Sequence, residues 1–461
     1  MQPYPQTPEQ QTHKVSPARE AALWSLMRWQ RDGQNARVES LVRESFAKFS
    51  LEPRDRALAM DLSYGVVRNL LNLDHVLSYF VIKTAKGVPP EIMNILRLSA
   101  YQILYLEKIP HRAAVHEAVE QAKSHKGHGS GGFVNAVLRA LIRDLGRVSY
   151  PDPDKEPAKF LTLKYSFPDW LAERWLLRWG FDFTRDFMKA SNQVPPISIR
   201  TNTLKTTRGE LVAKFEEAGI ECELSRFLPD SFNVRGANAV MDFPGFKEGL
   251  FAVQDEAAQL ISMLIAPVAG ERILDASAAP GGKSTHLASL SGGGAFVAAM
   301  DINYDKLRFL RDNTHRLGAE RVLPVCADAA APLPFADSFD GVLLDAPCSA
   351  LGVIRRRPEI KYGRSESYIN RLAALQERML ANLSGAVRKG GTLVYATCSV
   401  EPEEGERVIE TFLAKNPEFY LDDPRPHLPE PVRELIEGNY LRTYPHRDGM
   451  DGFFGARIVR R

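Results

Sequence analysis

Cysteine is scarce: four thiols in 461 residues, at Cys222, Cys326, Cys348 and Cys398. No two are spaced C-x-x-C, and four are too few for a disulfide framework in so long a chain, so neither a zinc ribbon nor any other metal site is expected. Long apolar runs are missing as well. The longest, residues 260–269, is about half of the roughly 20 residues that a membrane span needs. The opening residues 1–14, MQPYPQTPEQQTHK, hold no apolar core of the signal-peptide kind. Together these absences predict a reducing, cytoplasmic location without membrane contact. Glycine (32) and proline (30) are not abundant enough for a collagenous or low-complexity chain. What remains is an ordinary globular composition, 44% apolar and 25% charged. At about 150 residues per domain, it suggests three domains.

Net charge is only +2, but its distribution is uneven. Residues 1–150 carry 20 Lys/Arg against 14 Asp/Glu and six of the ten histidines. A basic front end is either a mildly basic solvated surface or the footprint of an anionic partner, nucleic acid first. The same region reads as helices. Ser16 and Pro17 open one over 16–30, and Ala59, Leu62, Val66 and Leu70 mark a face over 53–70. Further helices are expected over 89–107, 111–124 and 132–146, with GHGSGG (127–132) as a flexible loop. No strand alternation appears before about residue 195.

The segments RDRALAMDLSYGVVRN (54–69), LRLSAYQILYLEKIPHRAAVHEAVEQAK (96–123) and GGFVNAVLRAL (131–141) resemble the NusB-like RNA-binding domain. The resemblance implies a helical domain, residues 1–148, that docks on RNA or ribonucleoprotein, with Arg112 and Arg139 as candidate phosphate contacts. YPDPDKEP (150–157) then reads as a linker into a small α+β domain, residues 149–250. It holds a Trp-rich helix (165–180), a strand at PPISIRTN (195–202), a helix over 207–219 and a strand at IECEL (220–224). Trp170, Trp175 and Trp179 are expected to pack rather than to stack on bases.

Residues 251–461 carry the chemistry. ERILDAS (271–277), AFVAAMDIN (295–303), RVLPVCADA (321–329), FDGVLLDAP (339–347) and GGTLVYATCS (390–399) read as strands separated by helices, and GFFGARIVR (452–460) as one more. Such alternation predicts a parallel, doubly wound sheet, which binds ligands beyond the carboxyl ends of its strands. Asp275, Asp301, Asp328, Asp345, Cys348 and Cys398 lie at those ends. In SAAPGGKSTH (277–286), paired glycines let backbone approach a ligand and start a helix. Asp301 suits two ribose hydroxyls and Asp328 an adenine amino group, a layout that fits S-adenosylmethionine. A P-loop ATPase is the rival reading. It lacks its first glycine, at Ser277, and Pro280 removes one of the loop's amides.

DAPCS (345–349) and YATCS (395–399) decide the reaction class. Cys222 and Cys326 read as inert buried thiols; a second pair at the ligand edge does not. Carbon 5 of cytosine is a poor nucleophile until a thiolate adds to carbon 6, and two thiols with an acid suit that route.

DASAAPGGKSTH, VQDEAAQL (253–260), DAPCSALGVIRRRPEIK (345–361) and TLVYATCSVEPEEGE (392–406) resemble the RNA cytosine-5 methyltransferase family. With the NusB-like front, the chain is similar to bacterial enzymes that methylate a cytosine of small-subunit (16S) ribosomal RNA. The resemblance implies a Rossmann-like α/β methyltransferase domain with Cys398 as nucleophile and Cys348 as the thiol that assists release. Asp345 would bind the cytosine edge. Ser277, Ala278, Ala279, Pro280, Gly281, Gly282 and Lys283 would cradle the cofactor together with Asp301, Asp328 and Asp345. Its partner is ribosomal RNA or a pre-ribosomal particle, and nothing requires more than a monomer. Ser277 stands where the family usually has cysteine, and Ala350 where it often has glycine. Arg355, Arg356 and Arg357 read as either solvated or phosphate-binding, His286 and His315 as surface or packing residues. A non-catalytic RNA-binding assembly factor is the remaining alternative.

Overall fold

The computed structural model describes residues 15–33, 36–81, 87–235 and 240–461. The signal-peptide reading of residues 1–14 lies outside them. The chain divides into two compact units: one runs through Asn192 and takes in Arg357–Gly363, and the other comprises Gln193–Arg356 and Arg364–Arg461.

The first unit is helical: α1 (Pro17–Asp32), α2 (Val38–Lys48), α3 (Pro53–Arg68), α4 (Leu70–Ser78), α5 (Pro90–Tyr105), α6 (His111–Lys126), α7 (His128–Asp144), α8 (Pro157–Tyr165) and α9 (Asp169–Ser191). Proline opens α1, α3, α5 and α8, where its missing N–H costs no hydrogen bond. The i, i+3/i+4 stripes form the core: Leu23, Leu26, Leu62, Val66, Ile92, Ile95, Leu96, Leu138 and Leu141 are all buried. The helix expected over 53–70 stops at Arg68, and α4 begins beyond Asn69.

GHGSGG is not a loop. Only Gly127, at φ 80, turns the chain, and α7 runs through the other glycines from His128. Close packing is the reason, since a Cβ on Gly131 would lie 2.7 Å from Lys123 Cγ and 3.3 Å from Val119 O of α6. The tryptophan helix also runs past its expected end, kinking at Gly180 (φ 76). Trp175 is fully buried, with ring centroids 5.6 Å from Phe167 and 5.0 Å from Phe187. Within this unit the tail of the RRRPEIK segment is architectural. Lys361 is buried, and its Nζ donates to Arg68 O (2.7 Å) and Asn192 Oδ1 (3.1 Å).

The second unit begins with a four-stranded antiparallel sheet, order β2-β3-β1-β4, made of β1 (Ile197–Thr201), β2 (Cys222–Leu224), β3 (Ser231–Val234) and β4 (Phe251–Val253). Helix α10 (Arg208–Glu217) packs Leu211 and Phe215 into its core. Thr207 and Glu210 form a capping box at its start. Then follow α11 (Glu256–Met263), β5 (Arg272–Asp275), α12 (Gly282–Leu290), β6 (Phe296–Asp301), α13 (Tyr304–Leu317), β7 (Val322–Cys326), β8 (Phe339–Asp345), α14 (Glu366–Ser384), β9 (Val387–Thr397), α15 (Glu406–Lys415), β10 (Phe419–Leu421), β11 (Ile436–Glu437), β12 (Tyr440–Thr443), α16 (Pro445–Asp448) and β13 (Phe453–Arg460).

Strands β5 to β13 form one sheet in the order β11-β12-β13-β9-β8-β5-β6-β7, with β10 also on β13. Five strands, β7-β6-β5-β8-β9, are parallel, as the alternation with helices predicts. The purely parallel reading does not extend further. β13 runs antiparallel between β9 and β12, β10 pairs antiparallel with β13, and β11 with β12. The three short strands β10, β11 and β12 carry too few residues for a period to register.

Candidate active site

Because the five strands are parallel, their carboxyl ends share one edge. β5 ends at Asp275, β6 at Asp301, β8 at Asp345, and β9 at Thr397 just before Cys398. The β8–β9 register pairs Asp345 with Ala396. Cys348 and Cys398 therefore leave neighbouring strands almost in step, and their sulfurs lie 3.2 Å apart. The contact with Cys398, then burial, raises the Cys348 pKa well above the ordinary thiol range, and either sulfur can be the donor between them. Main-chain contacts fix the loop: Gly352 N–H donates to Cys398 O (3.0 Å), and Gly452 N–H to Gly352 O (2.9 Å). A Cβ on Gly352 would sit 1.9 Å from Gly452 O, so only glycine fits. Ala350 holds φ 62, a left-handed conformation that costs an L-residue about 1–2 kcal/mol.

On the other side of Asp345 lies the loop after β5. Ala278 N–H donates to Met300 O (2.9 Å), and Ala279 N–H to Asp301 Oδ2 (3.2 Å), so Asp301 ties this loop to the end of β6. Gly281 turns at φ 100 with Leu310 closing off its Cβ direction, and α12 starts at Gly282 with its N–H groups toward the loop. Lys283 Nζ donates to Asp345 Oδ2 at 2.5 Å. Burial alone would lower the lysine's pKa, but Asp345 outweighs it and keeps the ammonium charged. Asp275 is fully buried: Oδ2 accepts from Ser284 Oγ (2.6 Å), while Oδ1 has no partner among the described residues. Burial pushes its carboxyl up to about 6. Ser277 and Asp301 are half-buried, and Asp328 is exposed, accepting from Ala330 N–H at 2.8 Å.

Residues 262–459 match the family described as 16S rRNA methyltransferase RsmB/F, residues 167–241 the RsmF/B-like ferredoxin-like domain, and residues 16–143 the NusB family. A Bacillus subtilis protein named probable ribosomal RNA small subunit methyltransferase B is 36% identical over 446 residues, which is 96% of this chain and 98% of that one. The chain belongs to the 16S rRNA methyltransferase RsmB/F family. A Vibrio cholerae relative, ribosomal RNA small subunit methyltransferase B, is 35% identical over 417 residues, 90% of this chain and 92% of its own. The solved structure of PH0851 superposes with a TM-score of 0.78 at 29% identity, covering 97% of this chain and 99% of that chain.

As a member of the RsmB/F family the chain is an rRNA methyltransferase with a NusB-type helical domain, a ferredoxin-like domain and an α/β methyltransferase domain. The P-loop ATPase reading falls with that membership. Among the described residues no helix is long and apolar enough to cross a membrane, and no cluster of His, Cys, Asp and Glu could hold a metal ion.

Two site expectations are corrected. Arg355 and Arg356 are neither solvated nor turned to an anion outside the protein. Arg355 Nε and Arg356 Nε donate to the two oxygens of Asp451 (2.5 and 2.6 Å), and their Nη2 atoms donate to Asp255 Oδ2 (3.1 and 2.6 Å). Arg357 pairs with Glu359 at 3.4 Å. Cys326 is exposed on β7, because that strand is the edge of the sheet, and Cys222 is only half-buried. His286 is buried and its pKa held well below the ordinary imidazole range by burial and then by Arg200, while His315 is exposed on α13.

Sequence reasoning missed Arg200. It is fully buried on β1 and donates to Gly282 O (2.6 Å), Thr285 Oγ1 (2.9 Å) and Gln254 Oε1, with no carboxylate in salt-bridge reach among the described residues. Burial, and then Arg316, lowers its pKa to about 9. Alternation places Arg200 on the face opposite Ile197 and Ile199, where a solvated residue is expected, so the strand pattern carried no signal for it.

Proposed function

We propose that the enzyme transfers the methyl group of S-adenosylmethionine to carbon 5 of a cytosine in 16S rRNA through a covalent adduct between Cys398 and carbon 6. The observation that carries the proposal is the pair of sulfurs 3.2 Å apart beside a carboxylate whose Oδ2 is bound by Lys283. Methylation of an exocyclic amine would need no thiol at all.

The residues fit the cofactor. Gly281 allows a close backbone turn, the start of α12 offers free N–H groups, and the unpartnered Asp275 Oδ1 is a buried acceptor at the same strand end. Ser277 to Lys283 would hold it, with Asp301 on its ribose and Asp328 on its adenine amino group; Asp345 would sit between cofactor and base. When bound, it supplies an electrophilic methyl on a sulfonium.

Cys398 reacts as its thiolate: its Sγ bonds to carbon 6 as the 5,6 double bond opens and the ring electrons move toward N3, where Asp345 hydrogen-bonds the base edge and the Lys283 ammonium it holds offsets the developing charge. Carbon 5, now enamine-like, takes the methyl. Cys348, as the base or through one, takes the carbon 5 proton; the electrons of that C–H bond re-form the 5,6 double bond and the carbon 6–sulfur bond breaks, returning Cys398 as its thiolate. Carbon 6 is approached from above the ring, so the cytosine leaves its stack. Arg112 and Arg139, both exposed, are candidates for phosphate on the helical domain.

Cys398→Ala is expected to lower single-turnover methylation of 16S rRNA by about 10³-fold or more, read by bisulfite sequencing; a wild-type rate would overturn the nucleophile assignment. Cys348→Ser is expected to accumulate a protein–RNA adduct that survives denaturing electrophoresis. Full turnover with no trapped adduct would remove the release role.

A further inference from the structure

Glu404 lies in the acidic run EPEEGE, where its neighbour Glu403 pairs with Arg407 at 2.8 Å. Glu404 itself is fully buried, and among the described residues no cation pairs with it. Its carboxylate instead accepts Ser349 N–H at Oε1 (2.7 Å), Ser349 Oγ–H at Oε2 (2.5 Å) and Gln376 Nε2 at Oε1 (3.2 Å). Ser349 Oγ is 3.1 Å from Ser399 Oγ. These two serines directly follow Cys348 and Cys398. The acceptor is itself anchored: Tyr395 OH on β9 donates to Glu404 O (2.8 Å) and to Gln376 Oε1 on α14 (3.0 Å).

An ionised carboxylate without a cation is costly to bury. Here it is satisfied by an amide and hydroxyls from the very peptides that bear the two thiols. We infer that Glu404 is a positioning residue that sets the gap between Cys398 and Cys348, acting through Ser349 and Ser399. This rests on the cysteine reading above, in which one sulfur must reach carbon 6 while the other stays within reach of the same adduct. A misplacement of about 1 Å in such a constellation costs on the order of 10²-fold in rate.

The thiol gap can be read without any turnover. Diamide takes a hydrogen from each of two adjacent thiols and leaves a disulfide, and peptide mapping reports how fast Cys348 and Cys398 join. Glu404→Gln is expected to slow this joining at least tenfold, with Glu404→Asp intermediate. Ser399→Ala, which keeps the carboxylate, is expected to slow it severalfold and carries the test if Glu404→Gln does not fold. In methylation assays Glu404→Gln should lose about 10–100-fold in kcat. Its KM for RNA, its affinity for S-adenosylhomocysteine and its melting temperature should stay near wild type. Cross-linking at the wild-type rate in both Glu404→Gln and Ser399→Ala overturns the inference, as does a kcat loss matched by equal losses in binding and melting. If the wild type fails to form 5-methylcytosine, the reaction proposal fails, yet the cross-linking rates still report on Glu404.

Discussion

The two halves of the ligand edge are built on opposite plans. Around the thiols, buried polar groups are largely matched. Arg355 and Arg356 face Asp255 and Asp451, Glu404 holds the serines, and glycine packs on glycine at Gly352 and Gly452. Around the loop after β5, buried groups stand incomplete. Among the described residues Asp275 Oδ1 and Arg200 Nε have no hydrogen-bond partner, and Arg200 donates to carbonyl and hydroxyl oxygens with no carboxylate in reach. In the reaction proposed above, a step that makes and breaks a carbon–sulfur bond needs fixed atoms, which a matched network provides. A binding cradle can carry unmet hydrogen bonds in the free protein if a ligand completes them.

The largest test of this contrast is on the matched side. Asp451→Ala leaves the buried Arg355 and the half-buried Arg356 short of an acceptor and is expected to lower stability by about 3 kcal/mol. Denaturant unfolding measures it, and a loss under 1 kcal/mol would place this cluster with the incomplete groups instead. Asp275→Asn should act with the opposite sign. The folded carboxyl is raised from 3.8 to about 6, so ionising it costs folding free energy. That cost is absent below the unfolded pKa, grows as pH rises toward 6, and is complete above it. The substitution is therefore expected to stabilise the protein by about 1–3 kcal/mol at pH 8 and by almost nothing at pH 4. Calorimetric melts at both values decide it; equal melting at pH 8 breaks the contrast. The smallest effect belongs to the one strained point on the thiol side. Ala350→Gly relieves the left-handed φ at about 1–2 kcal/mol but loses about 0.5–1 kcal/mol to the freer unfolded chain. A net gain of about 1 kcal/mol or less is expected, with release of product unslowed in single-turnover assays.

Much of this edge was readable because its signals are local. A buried run closing on Asp marks a strand end, and DAPCS and YATCS each carry thiol and strand together. Helical stripes such as Leu62 and Val66 were legible for the same reason. What escaped depends on residues far apart in the chain. Nothing next to Arg355 shows that Asp255 and Asp451, each about a hundred residues away, close on it. Glu404 looks like any member of a solvated acidic run until Ser349 is folded onto it. The glycines of 127–132 read as flexibility because their neighbour across the gap, Lys123 of α6, is invisible to a window on α7.

The place of β13 in the sheet has a consequence for synthesis. It is made after β9 and β12 yet inserts between them. A growing polypeptide that has emerged only through β12 holds two open strand rims with a vacant slot between them, a template for mispairing with another chain. Messages interrupted before Phe453 would leave that slot permanently vacant, and with it the strand that seats Gly452 against the Cys348 loop. Folding of this half is thus gated by β13, which leaves the ribosome after every strand it pairs with.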